Sequence, residues 1–98
     1  MRDIVSLCRD GDTKKAVEML EKLSNSGYSE SDIIGTLFKV TKNAELPETL
    51  KLSFLREIGF CHMRIAEGSS SFLQLAGLIG RMARIGREEV KANAMKTD

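Results

Sequence analysis

Apolar side chains recur along this chain at helical intervals, in five stretches separated by glycine, serine or proline. Ile4, Val5, Leu7 and Cys8 make a short opening helix over residues 3 to 9, which Gly11 ends. Asp12 and Thr13 supply N-cap chemistry for a second helix, where Ala16, Met19, Leu20 and Leu23 keep the i, i+3, i+4, i+7 rhythm. Lys14, Lys15, Glu18, Glu21 and Lys22 fall mainly on its other side. Asn25, Ser26 and Gly27 close it, with Gly27 suited to the left-handed residue that follows many helices. Ser29 with Asp32 three residues on resembles a capping box for a third helix, and Tyr28 is placed to staple onto Ile33 or Ile34. Ile33, Ile34, Leu37, Phe38 and Thr41 form the buried stripe of that helix. It is expected to fail between Asn43 and Leu46, ahead of Pro47.

A fourth, long helix is predicted over residues 47 to 67, with Pro47 and Glu48 in its first turn. Leu50, Phe54, Ile58, Cys61 and Ile65 make one stripe; Leu52, Leu55, Gly59, Met63 and Ala66 make a second beside it. Two adjoining stripes predict neighbours on two sides, and so a central helix. Lys51, Arg56, Glu57, Arg64 and Glu67 are left for solvent or a partner. Gly68 and the serines after it turn the chain, with Ser69 or Ser70 capping a fifth helix.

That fifth helix is apolar around too much of its circumference. From Phe72 to Ile85 the only clearly polar side chains are Gln74, Arg81 and Arg84. A helix of this kind needs cover on more than one side, and in so small a chain the expected cover is another subunit. The candidate interface is Phe72, Leu73, Leu75, Leu78, Ile79 and Met82, rimmed by Arg81 and Arg84. Several of these are equally required for the core of the chain itself. Gly77 and Gly80 each cost about 1 kcal/mol of helix stability relative to alanine, which close approach of another helix backbone would offset. After Gly86 the apolar rhythm stops. Residues 87–98, with only Val90 and Met95 as large apolar side chains, read as a polar tail, either a frayed helix or disordered. The expectation is an all-α fold, a five-helix bundle over residues 1–86 that serves oligomerisation.

Composition narrows the functions available. The 98 residues suit one domain with one core. A formal net charge of +1 gives no electrostatic reason for the whole domain to bind nucleic acid or an anionic membrane. Cys8 and Cys61 are too few for a disulfide framework and read as reduced, buried thiols of a soluble intracellular protein. No apolar run approaches the roughly 20 residues that cross a bilayer, and no signal-peptide pattern opens the chain.

Catalytic chemistry is not indicated. There is no phosphate-binding Gly-x-x-x-x-Gly-Lys loop and no Gly-x-Gly-x-x-Gly, so no catalytic, cofactor-binding or metal residue is assigned. Cys61 and His62 are adjacent, yet neighbouring helical residues point about 100° apart and no third ligand is spaced to join them. Glu45 with Glu48, and Glu88 with Glu89, read as solvated surface. An alternative function is direct DNA binding by Arg81, Arg84 and Arg87, which recur every three positions. Against it, no aromatic platform is interleaved, and Glu88 and Glu89 follow at once.

Several segments in order carry a resemblance: Gly27-Tyr28-Ser29 before Asp32-Ile33-Ile34-Gly35, then Leu50-Lys51-Leu52 with Phe54, and Glu57-Ile58-Gly59. His62-Met63-Arg64-Ile65-Ala66-Glu67-Gly68 and Leu73-Gln74-Leu75-Ala76-Gly77-Leu78 continue it. Together, over residues 1 to 85, they resemble the C-terminal region of a small subunit of replication factor C, the eukaryotic sliding-clamp loader, and most of all its second subunit. The resemblance implies a helical collar domain that packs beside those of other replication factor C subunits in a ring of five. It further implies a parent with N-terminal AAA+ ATPase and lid domains that bind ATP and Mg²⁺, whose motifs are not in this sequence; the chain therefore reads as a fragment. Implied partners of the full complex are the sliding clamp and primer–template DNA, implied location the nucleus, and implied process DNA replication. Isolated, such a domain can also pair with itself. Residues 87–98 match nothing in the family's core.

Overall fold

The computed structural model describes residues 2–68 and 72–96, and places the side chains of residues 3–68 and 72–92. Five helices follow one another: α1 (Arg2–Asp10), α2 (Thr13–Asn25), α3 (Glu30–Asn43), α4 (Glu48–Ala66) and α5 (Phe72–Lys96). Their boundaries follow from local chemistry. The Asp12 carboxylate accepts the Lys15 N–H at 3.2 Å, and the Ser29 hydroxyl accepts the Asp32 N–H at 3.1 Å, so each satisfies a backbone donor left open by its helix. Gly27 and Gly68 follow α2 and α4 with φ of 95° and 93°, in the left-handed region that side chains disfavour. The expected serine cap of α5 lies outside the described residues.

The helices bury one continuous core. Its largest members include Ile4 from α1, Leu20 from α2, Leu37 from α3, Phe54 and Ile58 from α4, and Leu78 and Ile79 from α5. Full burial of each such side chain stabilises the fold by about 1.5–3 kcal/mol relative to exposure. α5, not α4, is the central element. It packs against α1, α2 and α4 and also touches α3, whereas α4 packs mainly against α3 and α5. The second stripe expected to be covered on α4 therefore stays largely open. Phe38, expected in the buried stripe of α3, sits at its margin and is exposed, and Tyr28 is exposed beside Ser31 and Gly35 instead of stapling inward.

α5 also runs beyond the apolar pattern, through Lys96. Its continuation is held where it passes α1. A Cβ on Gly86 would overlap the Cys8 carbonyl oxygen and stand 2.8 Å from that of Arg9, so only glycine lets α5 lie this close to the end of α1. The next residue secures the contact: Arg87 Nη1 donates to the Thr13 hydroxyl at 2.8 Å and to the Gly11 carbonyl at 3.2 Å. Gly11 itself has φ 79°, and a Cβ there would run into the Arg87 stem. Gly77 and Gly80 are different. Among the described residues, a Cβ would meet within 4 Å only Arg81 Nη1 at 3.4 Å from Gly77 and nothing from Gly80.

These contrasts set opposite signs for one substitution at two sites. Gly86→Ala is expected to destabilise the chain by about 1–3 kcal/mol through overpacking against backbone. Gly80→Ala is expected to stabilise the isolated chain by up to about 1 kcal/mol through helix propensity. Urea unfolding of the two variants checks both. Thr41 supplies a further test, because its hydroxyl is buried without a hydrogen-bond partner among the described residues. Thr41→Val, nearly isosteric, is expected to raise stability by about 1 kcal/mol in the same assay.

Candidate functional site

Leu75, Leu78, Ile79 and Met82 are core residues of the chain itself, each no more than marginally exposed. Their excess apolarity is consumed by the central position of α5. Of the other candidate interface residues, Phe72 is half-buried against the core, Leu73 lies on the surface at 80% exposure, and Arg81 and Arg84 are at the surface in ion pairs.

The surface shows where cover is lacking instead. Leu52, Phe60 and Met63 of α4 are exposed by 55%, 52% and 60%, and with Leu73 they make up most of the large apolar side chains that the described residues leave open. Phe60 falls in neither stripe read from the sequence. The signal that would have found it is its spacing, four residues from Arg56 and from Arg64, which puts an aromatic between two arginines on one row. Two contacts set the antiparallel register of α4 and α5. Arg81 Nε meets Glu57 Oε2 at 3.3 Å, and Cys61 Sγ lies 3.7 Å from the Gln74 carbonyl. That register puts Phe60 level with the Gly77 turn; Phe60, Met63 and Leu73 are exposed on these two helices, and Gly77 and Gly80 are half-buried.

The three arginines of the DNA-binding alternative are spoken for within the chain. Arg81 pairs with Glu57, Arg84 Nε with Glu88 at 3.5 Å, and Arg87 with the α1–α2 turn. The exposed Arg84–Glu88 pair contributes a few tenths of a kcal/mol, but it cancels the Arg84 charge locally. Arg56 and Arg64 have no carboxylate partner among the described residues.

The thiols are built for packing. Cys8 is fully buried, with Sγ 3.9 Å from the Ile79 carbonyl, and burial pushes its pKa from 9.0 to about 12. Burial also raises the Cys61 pKa, while the positive charges of Arg81 and Arg64 oppose the rise. His62 is exposed and points away from the buried Cys61. Among the described residues no group of three or more His, Cys, Asp and Glu could hold a metal ion, and no helix is long and apolar enough to cross a membrane. A cleft of about 460 Å³ between α1 and the end of α3 is lined by Ser6, Lys39, Val40, Asn43, Ala44 and Glu45, none of them a residue singled out for interface or DNA binding.

The buried Cys8 thiol gives a pH dependence. Unfolded, it ionises near 9.0; folded, it keeps its proton to about 12, so only the unfolded chain loses that proton in between. The stabilisation is complete below pH 9 and is lost as pH rises toward 12, by up to about 1.4 kcal/mol per pH unit. The stability gap between wild type and Cys8→Ala is therefore expected to narrow through this window in denaturation curves. A constant gap would remove the effect.

Residues 1–81 match the family described as Replication factor C C-terminal domain. The chain is 46% identical over 93 residues to Replication factor C subunit 4 of Oryza sativa subsp. japonica, covering 95% of this chain and 28% of that protein. It is 49% identical over 77 residues to Replication factor C subunit 2 of Arabidopsis thaliana, covering 79% and 23%. Against Probable replication factor C subunit 2 of Dictyostelium discoideum the identity is 42% over 86 residues, covering 87% and 25%. The chain thus spans about a quarter of the length of these relatives. Its five-helix architecture, its uncovered α4–α5 side and these matches lead to one assignment: the chain belongs to the family of replication factor C C-terminal domains.

Proposed function

We propose that this domain is a collar element, joining one small subunit of a replication factor C clamp loader to its neighbours through the outward side of α4 and α5. The observation that carries this reading is the exposure of Leu52, Phe60, Met63 and Leu73 on those two helices. Burying such a surface supplies about 25 cal/mol per Å² of apolar area, a driving force that the folded chain alone leaves unused. The helical glycines support it. Gly59, Gly77 and Gly80 each cost about 1 kcal/mol in a helix, and among the described residues nothing packs closely enough to require them.

In this reading the domain performs no catalysis. ATP and Mg²⁺ would be bound by ATPase domains elsewhere in the parent protein, while the collar keeps those domains in a ring. The complex would act on a sliding clamp and primer–template DNA, in the nucleus, during DNA replication. Residues 1–86 are the collar domain in this reading, and Arg87 anchors the helical continuation of α5 to the α1–α2 turn. Direct DNA binding through Arg81, Arg84 and Arg87 is not favoured, because all three are engaged inside the chain.

The test is light scattering of the chain mixed with the other replication factor C subunits. Leu73→Asp changes a side chain that contributes little to the core, so it is expected to leave the thermal midpoint nearly unchanged and to weaken association at least about tenfold. Leu78→Asp buries a carboxylate and is expected to unfold the chain. A folded Leu73→Asp variant that assembles like wild type, together with equally indifferent Phe60→Asp, would overturn the placement on α4 and α5.

A further inference from the structure

The exposed row along α4 has a composition that says more than where a neighbour sits. Leu52, Arg56, Phe60 and Arg64 succeed one another at four-residue steps, and all four are exposed. Side chains at such steps form one of the ridges by which helices pack into grooves. Here the ridge alternates apolar and cationic groups, with Phe60 between two arginines that lie about 12 Å apart along the axis.

The arginines are distinguished by what they lack. The chain satisfies its other α4–α5 arginines internally: Arg81 has Glu57, Arg84 has Glu88, and Arg87 has the Thr13 hydroxyl and the Gly11 carbonyl. Arg56 and Arg64 have no carboxylate among the described residues, and both are exposed, outside the buried stripe of Phe54, Ile58 and Cys61. A partner seated on Phe60 would cover both guanidinium groups, and covering an unpaired charge is unfavourable. The seat is therefore acceptable only to a surface that brings its own acids.

We infer that the α4 ridge selects a partner helix of a different chain, one that offers an apolar groove for Phe60 flanked by two carboxylates about two helical turns apart. The inference rests on the collar reading and specifies the neighbour's chemistry. A second copy of this chain is disfavoured at the same seat. A two-fold pairing of α4 with α4 about Phe60 would set Arg56 of each copy against Arg64 of the other, two like-charged contacts at once. Glu48 heads the same row but stands eight residues before Arg56, and Glu67 follows the end of α4 outside the row. Carboxylates opposite the two arginines would fix the register of the neighbouring helix, while Phe60 and Met63 supply the buried area.

The test is calorimetric titration of the chain against each of the other replication factor C subunits, at low and at moderate salt. Wild type, Arg56→Glu/Arg64→Glu and Leu73→Asp are compared, and each chain is also weighed alone by light scattering. The expected result is a wild-type chain that is monomeric alone and binds one subunit with affinity falling as salt rises. Arg56→Glu/Arg64→Glu is expected to bind at least about tenfold more weakly and to lose that salt dependence. Neither arginine is in the core, so the double variant should unfold at the wild-type temperature. If the double variant binds like wild type while Leu73→Asp does not, the acid-bearing partner is ruled out and the collar reading stands. If neither changes binding, both are overturned. A wild-type homodimer abolished by Phe60→Asp would also contradict the inference, because the seat would then accept a second copy.

Discussion

The closeness of α5 to the end of α1 governs how the rest of the chain is arranged. Gly86 lies against the Cys8 and Arg9 carbonyls, and Arg87 ties α5 to Gly11 and Thr13 just beyond. With α5 drawn in at that depth, Leu75, Leu78, Ile79 and Met82 all fall within the core and meet residues from the other four helices. A side chain at residue 86 would push the two helices apart and leave voids along the same stripe. Voids of that kind are penalised by lost contacts on every wall. The price of this central position is borne by α4, which is covered by α3 and α5 and left open on its outward side.

From that follows the division of the molecule into a closed half and an open one. The α1–α2 side is finished: its apolar residues are inward, its turns are capped and its exposed side chains are largely charged. The outward side of α4 and α5 is not. It carries exposed leucine, phenylalanine and methionine, and, among the described residues, glycines that no contact requires and two arginines without a carboxylate partner. Each feature is mildly unfavourable in an isolated domain. Together they describe a surface whose free energy is lowered by a neighbour, with apolar area providing affinity and charge providing choice.

Much of the fold was legible from residue order. The period of Ala16, Leu20 and Leu23, the Ser29 cap and the glycines at 27 and 68 mark the middle helices because each acts locally, through backbone geometry or a single hydrogen bond. The site was less legible, since an apolar side chain reads the same whether its cover comes from its own chain or another. Leu78 and Leu73 looked alike in sequence; only the position of α5 separates the buried one from the exposed one. Glycine has the same ambiguity. Gly77 and Gly80 suggested a close contact, but the close contact inside the chain is at Gly86. Phe60 escaped notice because it belongs to neither apolar stripe, and the choice between helix and disorder after Gly86 stayed open because Arg87 holds α5 there by long-range polar contacts.

Hydrogen exchange of this chain, measured alone and then within an assembled replication factor C complex, tests the central claim most directly. Segments spanning residues 52–64 of α4 and the first turns of α5 are expected to gain protection on assembly, with α2 little changed. Protection appearing on α2 and α3 while the α4–α5 segments exchange as they do in the free chain would contradict the account.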